Sequence, residues 1–175
     1  MIQNSAQLKE YIECDMVANK IENWKQRLAS PTLKYLMRLR KLEYHTNCNH
    51  SLRAFIYRLL LSRTSVETGI TIPINTFEKG LYIPHHGCIV VNGTARFGDS
   101  CQIQCGVNIS QNSVGRHIYF GAGAKIMENI YIADDVIIGA NAVVTHSIFE
   151  PNTVWAGVPA KQISNNGFAS NRTHF

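Results

Sequence analysis

Between Val91 and Phe149 an apolar side chain returns at every sixth residue. The series runs Val91, Phe97, Ile103, Ile109 and, after one deleted residue, Val114, Phe120, Ile126, Ile132, Ile138 and Val144. A small residue often follows directly, as at Gly98, Ser110, Gly115, Gly121, Ala133 and Gly139. Three places further on, a second series stays small or β-branched: Ala95, Cys101 and Val107, then Ile118, Ala124, Ile130, Val136, Ala142 and Ile148. Neither a helix nor a half-buried strand repeats at six. A six-residue period predicts the flat rungs of a solenoid, a β-helix whose stacked coils bury one continuous core.

Ahead of the solenoid the spacing lengthens to that of helices. Residues 5–29 predict a first helix, with Ser5 as cap and Leu8, Tyr11, Ile12, Met16, Ile21 and Trp24 along one side. Ser30 and Pro31 suit the cap and first turn of a second helix over 31–44, whose apolar stripe Arg40 interrupts. A third helix over 50–63 carries a broad apolar face of Leu52, Phe55, Ile56, Leu59, Leu60 and Leu61. Residues 70–90 enter the repeats irregularly. Traced back from Val91, the frame puts His85, Lys79 and Pro73 at the leading position and Ile89, Ile83 and Phe77 in the second series. His85 would thus replace an apolar side chain in an otherwise regular coil. The chain leaves the repeats through Pro151, and residues 164–175 read as a loose polar tail. The division is a helical region 1–66, a β-helix domain 67–163 and a tail 164–175.

Composition narrows the function classes. A length of 175 residues fits one domain with a helical cap, and no apolar run approaches a membrane span. The N-terminus lacks the basic start and apolar stretch of a signal peptide, so a cytoplasmic protein is expected. The five cysteines form no Cys-x-x-Cys pair and read as small buried hydrophobes in a reducing compartment, with no metal site. The formal charge of +5 is concentrated in residues 20–63. Without a nucleic-acid motif or a stacking platform, this reads as a solvated helical face that also helps attract an anionic cofactor or sugar nucleotide.

Segments such as Phe120-Gly121-Ala122-Gly123-Ala124-Lys125 and Ile138-Gly139-Ala140-Asn141-Ala142-Val143 resemble the hexapeptide repeat of acyltransferases. The resemblance implies a mainly β fold, a left-handed parallel β-helix with three hexapeptides per triangular coil, behind an N-terminal α-helical cap. The stretch Gly80 to Asn92 more closely resembles the segment of serine O-acetyltransferases, and of related O-acetyltransferases of polysaccharide gene clusters, that carries the catalytic histidine before an Ile-Val-Val run. Aligned without gaps, that histidine falls on His85. Ile118 to Val144 and Ala156-Gly157-Val158-Pro159-Ala160-Lys161 match the same family, so the resemblance covers about residues 70–163.

What the resemblance implies is specific. Acetyl-CoA is the co-substrate and no metal is required. His85 is the general base, a role suited to imidazole near neutral pH, and His86 an auxiliary. The pantetheine arm lies in a groove between two β-helices, against small residues matching Ala122 and Ala140, with Gly157 and Lys161 near the adenine and phosphates. The family assembles as homotrimers with sites between subunits. Three departures concern the acceptor. The family's carboxylate fifteen residues before the histidine is Ile70 here, and the one directly before it is Pro84. The loop bringing a second histidine is short, and the frame puts His117 on an ordinary coil. The acceptor is L-serine by overall resemblance, as in cysteine biosynthesis. By the missing carboxylates it is a sugar hydroxyl of capsule or lipopolysaccharide biosynthesis. Helix carboxylates such as Glu43 are the remaining groups that could hold an ammonium. A non-catalytic hexapeptide scaffold is the alternative of another class, and the in-frame His85 argues against it. A γ-carbonic-anhydrase-like enzyme needs three spaced histidines, which His85, His86 and His117 do not provide.

Overall fold

The computed structural model describes residues 1–169. Helix α1 spans Ser5–Ala18, α2 Trp24–Ala29, α3 Pro31–Asn47 and α4 Ser51–Thr68. The first expected helix is therefore two. Asn19 caps α1 and Lys20 turns left-handed at φ 57°. The Lys20 N–H bonds the carbonyl of Val17, and that of Ile21 bonds Met16, a Schellman stop made without glycine. Asn23 then caps α2 by accepting from the Gln26 N–H at 3.0 Å. At the other end Asn4, not Ser5, caps α1, accepting from the Gln7 N–H. Ser30 and Pro31 open α3 as expected. Helix α4 continues five residues past its expected end, to the left-handed Gly69.

Burial in the cap departs from the apolar pattern in two ways. The apolar face of α4 is turned outward: Leu52 is 74% and Phe55 59% exposed, with Ile56 and Leu59 also open, while Ala54, Thr64 and Thr68 are buried. Arg40, expected to interrupt an apolar stripe as part of a solvated basic face, is fully buried. Its guanidinium donates to Asp15 Oδ2 at 2.8 Å, to Glu43 Oε2 at 3.0 Å and to the carbonyls of Phe77 and Glu78 at 2.8 and 2.7 Å. A lone buried charge is very costly, so the arginine goes inside only because two carboxylates and two carbonyls meet all its faces. Burial alone would lower the Arg40 pKa, but the two carboxylates hold it well above its usual value. Burial raises the Glu43 pKa against the opposing pull of Arg40.

The repeats form a three-sided prism. The first face runs from Ile70–Thr71 (β1) and Ile89–Val91 (β2) through Asn108–Ile109 and Lys125–Ile126 to Val143–Val144. The second holds Arg96–Phe97, Asn112–Val114 and Ile130–Ile132. The third holds Gln102–Ile103, Tyr119–Phe120, Ile137–Ile138 and Val154–Ala156, closed by Lys161–Ser164 running antiparallel. All other pairings are parallel. This is the expected parallel β-helix behind a helical cap. Both six-residue series point inward and are buried from Val91 to Ile148, because each coil offers one inward place per side and its neighbours cover it.

The backward extension of the frame needs correction. Tyr82 pairs with Gln102, and Val90 with Asn108. Eight residues thus connect in the upper coil what six connect in the coil below. Ile83, beside Tyr82 and fully buried, lies level with Ile103 and takes the leading place. Likewise Phe77 pairs with Phe97, their rings stacked at 3.9 Å, so Lys79 and Pro73 do not lead either. The two extra residues widen the corner at His85 and His86, and both histidines stand exposed.

Candidate active site

His85 heads one edge of the prism, where the third face turns into the first. Along this edge the corners stack coil on coil. The Gly87 N–H bonds the carbonyl of Thr68 at the end of α4, the Gly123 N–H that of Cys105, and the Asn141 N–H that of Ala122, at 2.9, 2.9 and 2.8 Å. The successive levels are therefore His86-Gly87, Cys105-Gly106, Ala122-Gly123 and Ala140-Asn141, with Gly157 below, whose carbonyl accepts from Val143 at 3.0 Å. At the usual spacing of parallel strands, Ala122 and Ala140 stand about 10 and 14 Å along the edge from Gly87. Every sequence-predicted site residue except Lys161 belongs to this edge. Lys161 stands exposed one residue beyond it, where the closing antiparallel strand pairs with Ala156.

Close stacking explains the small residues. A Cβ on Gly121 would lie 2.6 Å from the Ala140 nitrogen, and one on Gly123 2.1 Å from the Asn141 side chain. Ala122 and Ala140 are exposed, and among the described residues nothing accepts from their backbone N–H groups. Two amide donors without an acceptor among the described residues, at exposed positions of one edge, suit an extended ligand carrying amide carbonyls, such as a pantetheine arm.

Neither His85 nor His86 has a hydrogen-bonding partner among the described residues. Ile70 is sealed in the core on β1, opposite Ile89. Glu43 is held by Arg40 and by the Asn75 N–H at 2.8 Å, so it does not reach the edge. His117 belongs to a different edge, between the second and third faces, where Ser100, His117, Asp135 and Asn152 stack in left-handed conformation. Its Nδ1 lies 3.2 Å from Asp135 Oδ1 and its ring stacks on Phe168. Within one chain the structure does not bring it to His85.

The cysteines are less uniform than expected. Cys101 is buried in the core, which pushes its thiol up to about 12, but Cys88 is exposed beside the histidines. Among the described residues no group of three or more His, Cys, Asp or Glu side chains could hold a metal ion, and no helix is long and apolar enough to cross a membrane.

No protein-family model matches the chain. It is 35% identical over 120 residues to the serine acetyltransferase of Helicobacter pylori (strain J99), a match covering 63% of this chain and 70% of that enzyme. The chain belongs to the serine acetyltransferase family. The enzyme of Synechococcus elongatus is 35% identical over 122 residues, but the match spans only 50% of its length. A solved serine acetyltransferase in complex with CoA superposes with a TM-score of 0.77 at 26% identity, covering 91% of this chain and 71% of that one. Members of this family are acetyl-CoA-dependent O-acetyltransferases. Sequence reasoning reached the family through the repeats and the His85 segment. It missed Asp15, Asn19 and Arg40, whose bonds to residues 77–83 join segments distant in sequence.

Proposed function

We propose that this chain transfers an acetyl group from acetyl-CoA to the hydroxyl of L-serine, with His85 as general base. The observation that carries the reading is the shared edge: an exposed histidine pair at its head, and below it the amide donors of Ala122 and Ala140, which have no acceptor among the described residues. The pantetheine arm lies along these levels, with Gly157 and Lys161 toward the nucleotide end. His85 takes the hydroxyl proton as that oxygen attacks the thioester carbonyl. Collapse of the tetrahedral adduct breaks the C–S bond, and the protonated imidazole returns its proton to the departing thiolate. His86 serves as an auxiliary. With acetyl-CoA as donor, the reaction belongs in the cytoplasm.

Release of free thiol from acetyl-CoA, followed with serine, homoserine and nucleotide sugars in turn, tests the reading. Serine should give the highest kcat/KM. A sugar hydroxyl is favoured by the burial of Ile70, the uncharged Pro84 and the engagement of Glu43, which leave no identified carboxylate for an ammonium. Turnover with a nucleotide sugar alone would replace serine as acceptor. No thiol release with any acceptor would make the chain a scaffold.

We further place the site between the subunits of a homotrimer. Among the described residues His85 and His86 have no hydrogen-bonding partner, and the apolar stripe of α4 is uncovered. Closed cyclic symmetry supplies a second β-helix to each edge. Sedimentation should give a trimer at micromolar concentration, and a stable monomer there would overturn the arrangement.

A further inference from the structure

Each inner strand of a parallel solenoid is hydrogen-bonded to a coil on either side, but the segment Gly80–Ile83 lies in the uppermost turn of its face. Below it the ladder is ordinary: the Tyr82 N–H bonds the Cys101 carbonyl at 2.9 Å, and the Ile103 N–H bonds the Tyr82 carbonyl at 3.0 Å. Above it stands α1. Asp15 Oδ1 accepts from the Gly80 and Leu81 N–H groups at 2.8 and 2.9 Å. Asn19 donates from Nδ2 to the Leu81 carbonyl at 2.9 Å and accepts at Oδ1 from the Ile83 N–H at 3.2 Å. One amide bridging the carbonyl of one residue and the N–H two places on is what a parallel strand's backbone presents to its neighbour. The Asn19 side chain stands in for the missing coil opposite Tyr82.

His85 is two residues beyond Ile83, inside the widened corner. On its other side the chain is next fixed at Gly87, whose N–H bonds Thr68 of α4. The corner is therefore suspended between two attachments, both to the helical cap. We infer that Asn19 is a positioning residue for His85, fixing the near end of its corner relative to the acetyl-CoA edge. This rests on His85 being the general base. Asn19 touches no reacting atom and acts through Leu81 and Ile83. Misplacing a reacting group by about 1 Å is enough to cost on the order of a hundredfold in rate, so loosening one attachment is read as a smaller loss.

The test is Asn19→Leu, similar in volume but without the bonds to Leu81 and Ile83 or the Nδ2 bond to the Asp15 carbonyl within α1 at 2.7 Å, compared with Asn47→Leu. Asn47 ties α3 to Ile2 and Asn75, away from the corner, by bonds of 2.9 and 3.0 Å. Asn19→Leu should lower kcat about tenfold with the acetyl-CoA KM within about twofold. Asn47→Leu should lower stability comparably and leave kcat unchanged. In a His85→Ala background, Asn19→Leu should have no further effect on kcat, since residues acting through one group are not additive. If Asn19→Leu fails to fold, Asn19→Asp keeps the acceptor for Ile83, and the same non-additivity is expected of it. An unchanged kcat, an equal loss in Asn47→Leu, or a full further loss in the His85→Ala background would overturn the inference. Undiminished activity of His85→Ala alone would instead overturn the base assignment.

Discussion

His85→Ala should lower kcat by at least about a hundredfold, because base catalysis by a positioned side chain is typically worth about two to four powers of ten. The acetyl-CoA KM should change little. The amide donors of Ala122 and Ala140 lie two and three coils further along the edge, and their positions depend on stacking contacts that His85 does not make. The loss should therefore fall on kcat and kcat/KM alike, the pattern of a group that acts in the transition state rather than in binding. His86→Ala should cost less. Both imidazoles are exposed in one corner, so exposure does not choose between them. The choice rests on the gapless match before Ile89-Val90-Val91, and a deader His86→Ala enzyme would shift it by one residue.

The solenoid was legible because stacking imposes one requirement per place. Each coil must offer a small or β-branched side chain where its neighbours do, so the period is written directly in residue type. The same regularity hid the irregular corner. Ile83 and Ile89 are six apart and keep the frame apparently intact, yet Ile83 lies level with Ile103 and Ile89 with Val107. The two extra residues between them are marked by no loss of an apolar residue. The frame that marks His85 is thus one that the corner does not follow, whereas the local match to the family does not depend on that frame. In the helical cap, patterning misled for other reasons. Lys20 ends α1 in a conformation usually announced by glycine. The apolar face of α4 is as apolar as a core face, and sequence does not distinguish a face buried in the chain from one left open. Arg40 finds Asp15 twenty-five positions away on another helix, a pairing that no local pattern encodes.

Arg40→Met should be the most damaging substitution for stability. It removes the only guanidinium in a cluster where Arg40, Asp15 and Glu43 are almost wholly shielded from water, and it strips donors from the carbonyls of Phe77 and Glu78. Breaking a buried pair from one side typically costs about 3–5 kcal/mol, a large part of the roughly 5–15 kcal/mol that holds a typical domain folded. The urea midpoint should fall accordingly, at unchanged slope. Adding Asp15→Asn and Glu43→Gln should recover more than half of the loss. The carboxylates become neutral amides, and the residue at 15 keeps an oxygen for the Gly80 and Leu81 N–H groups. The direction with pH identifies the cause. Burial already raises the Glu43 pKa in the native chain and Arg40 opposes it, so removing Arg40 raises it further. A group whose folded pKa is raised favours the folded state below its unfolded pKa, and that contribution is lost as pH rises through the folded value. The stability gap between the native protein and Arg40→Met should therefore be wider at pH 8 than at pH 5. A gap independent of pH, or a triple variant no more stable than Arg40→Met, would mean that the arginine contributes by filling space and not by neutralising buried carboxylates.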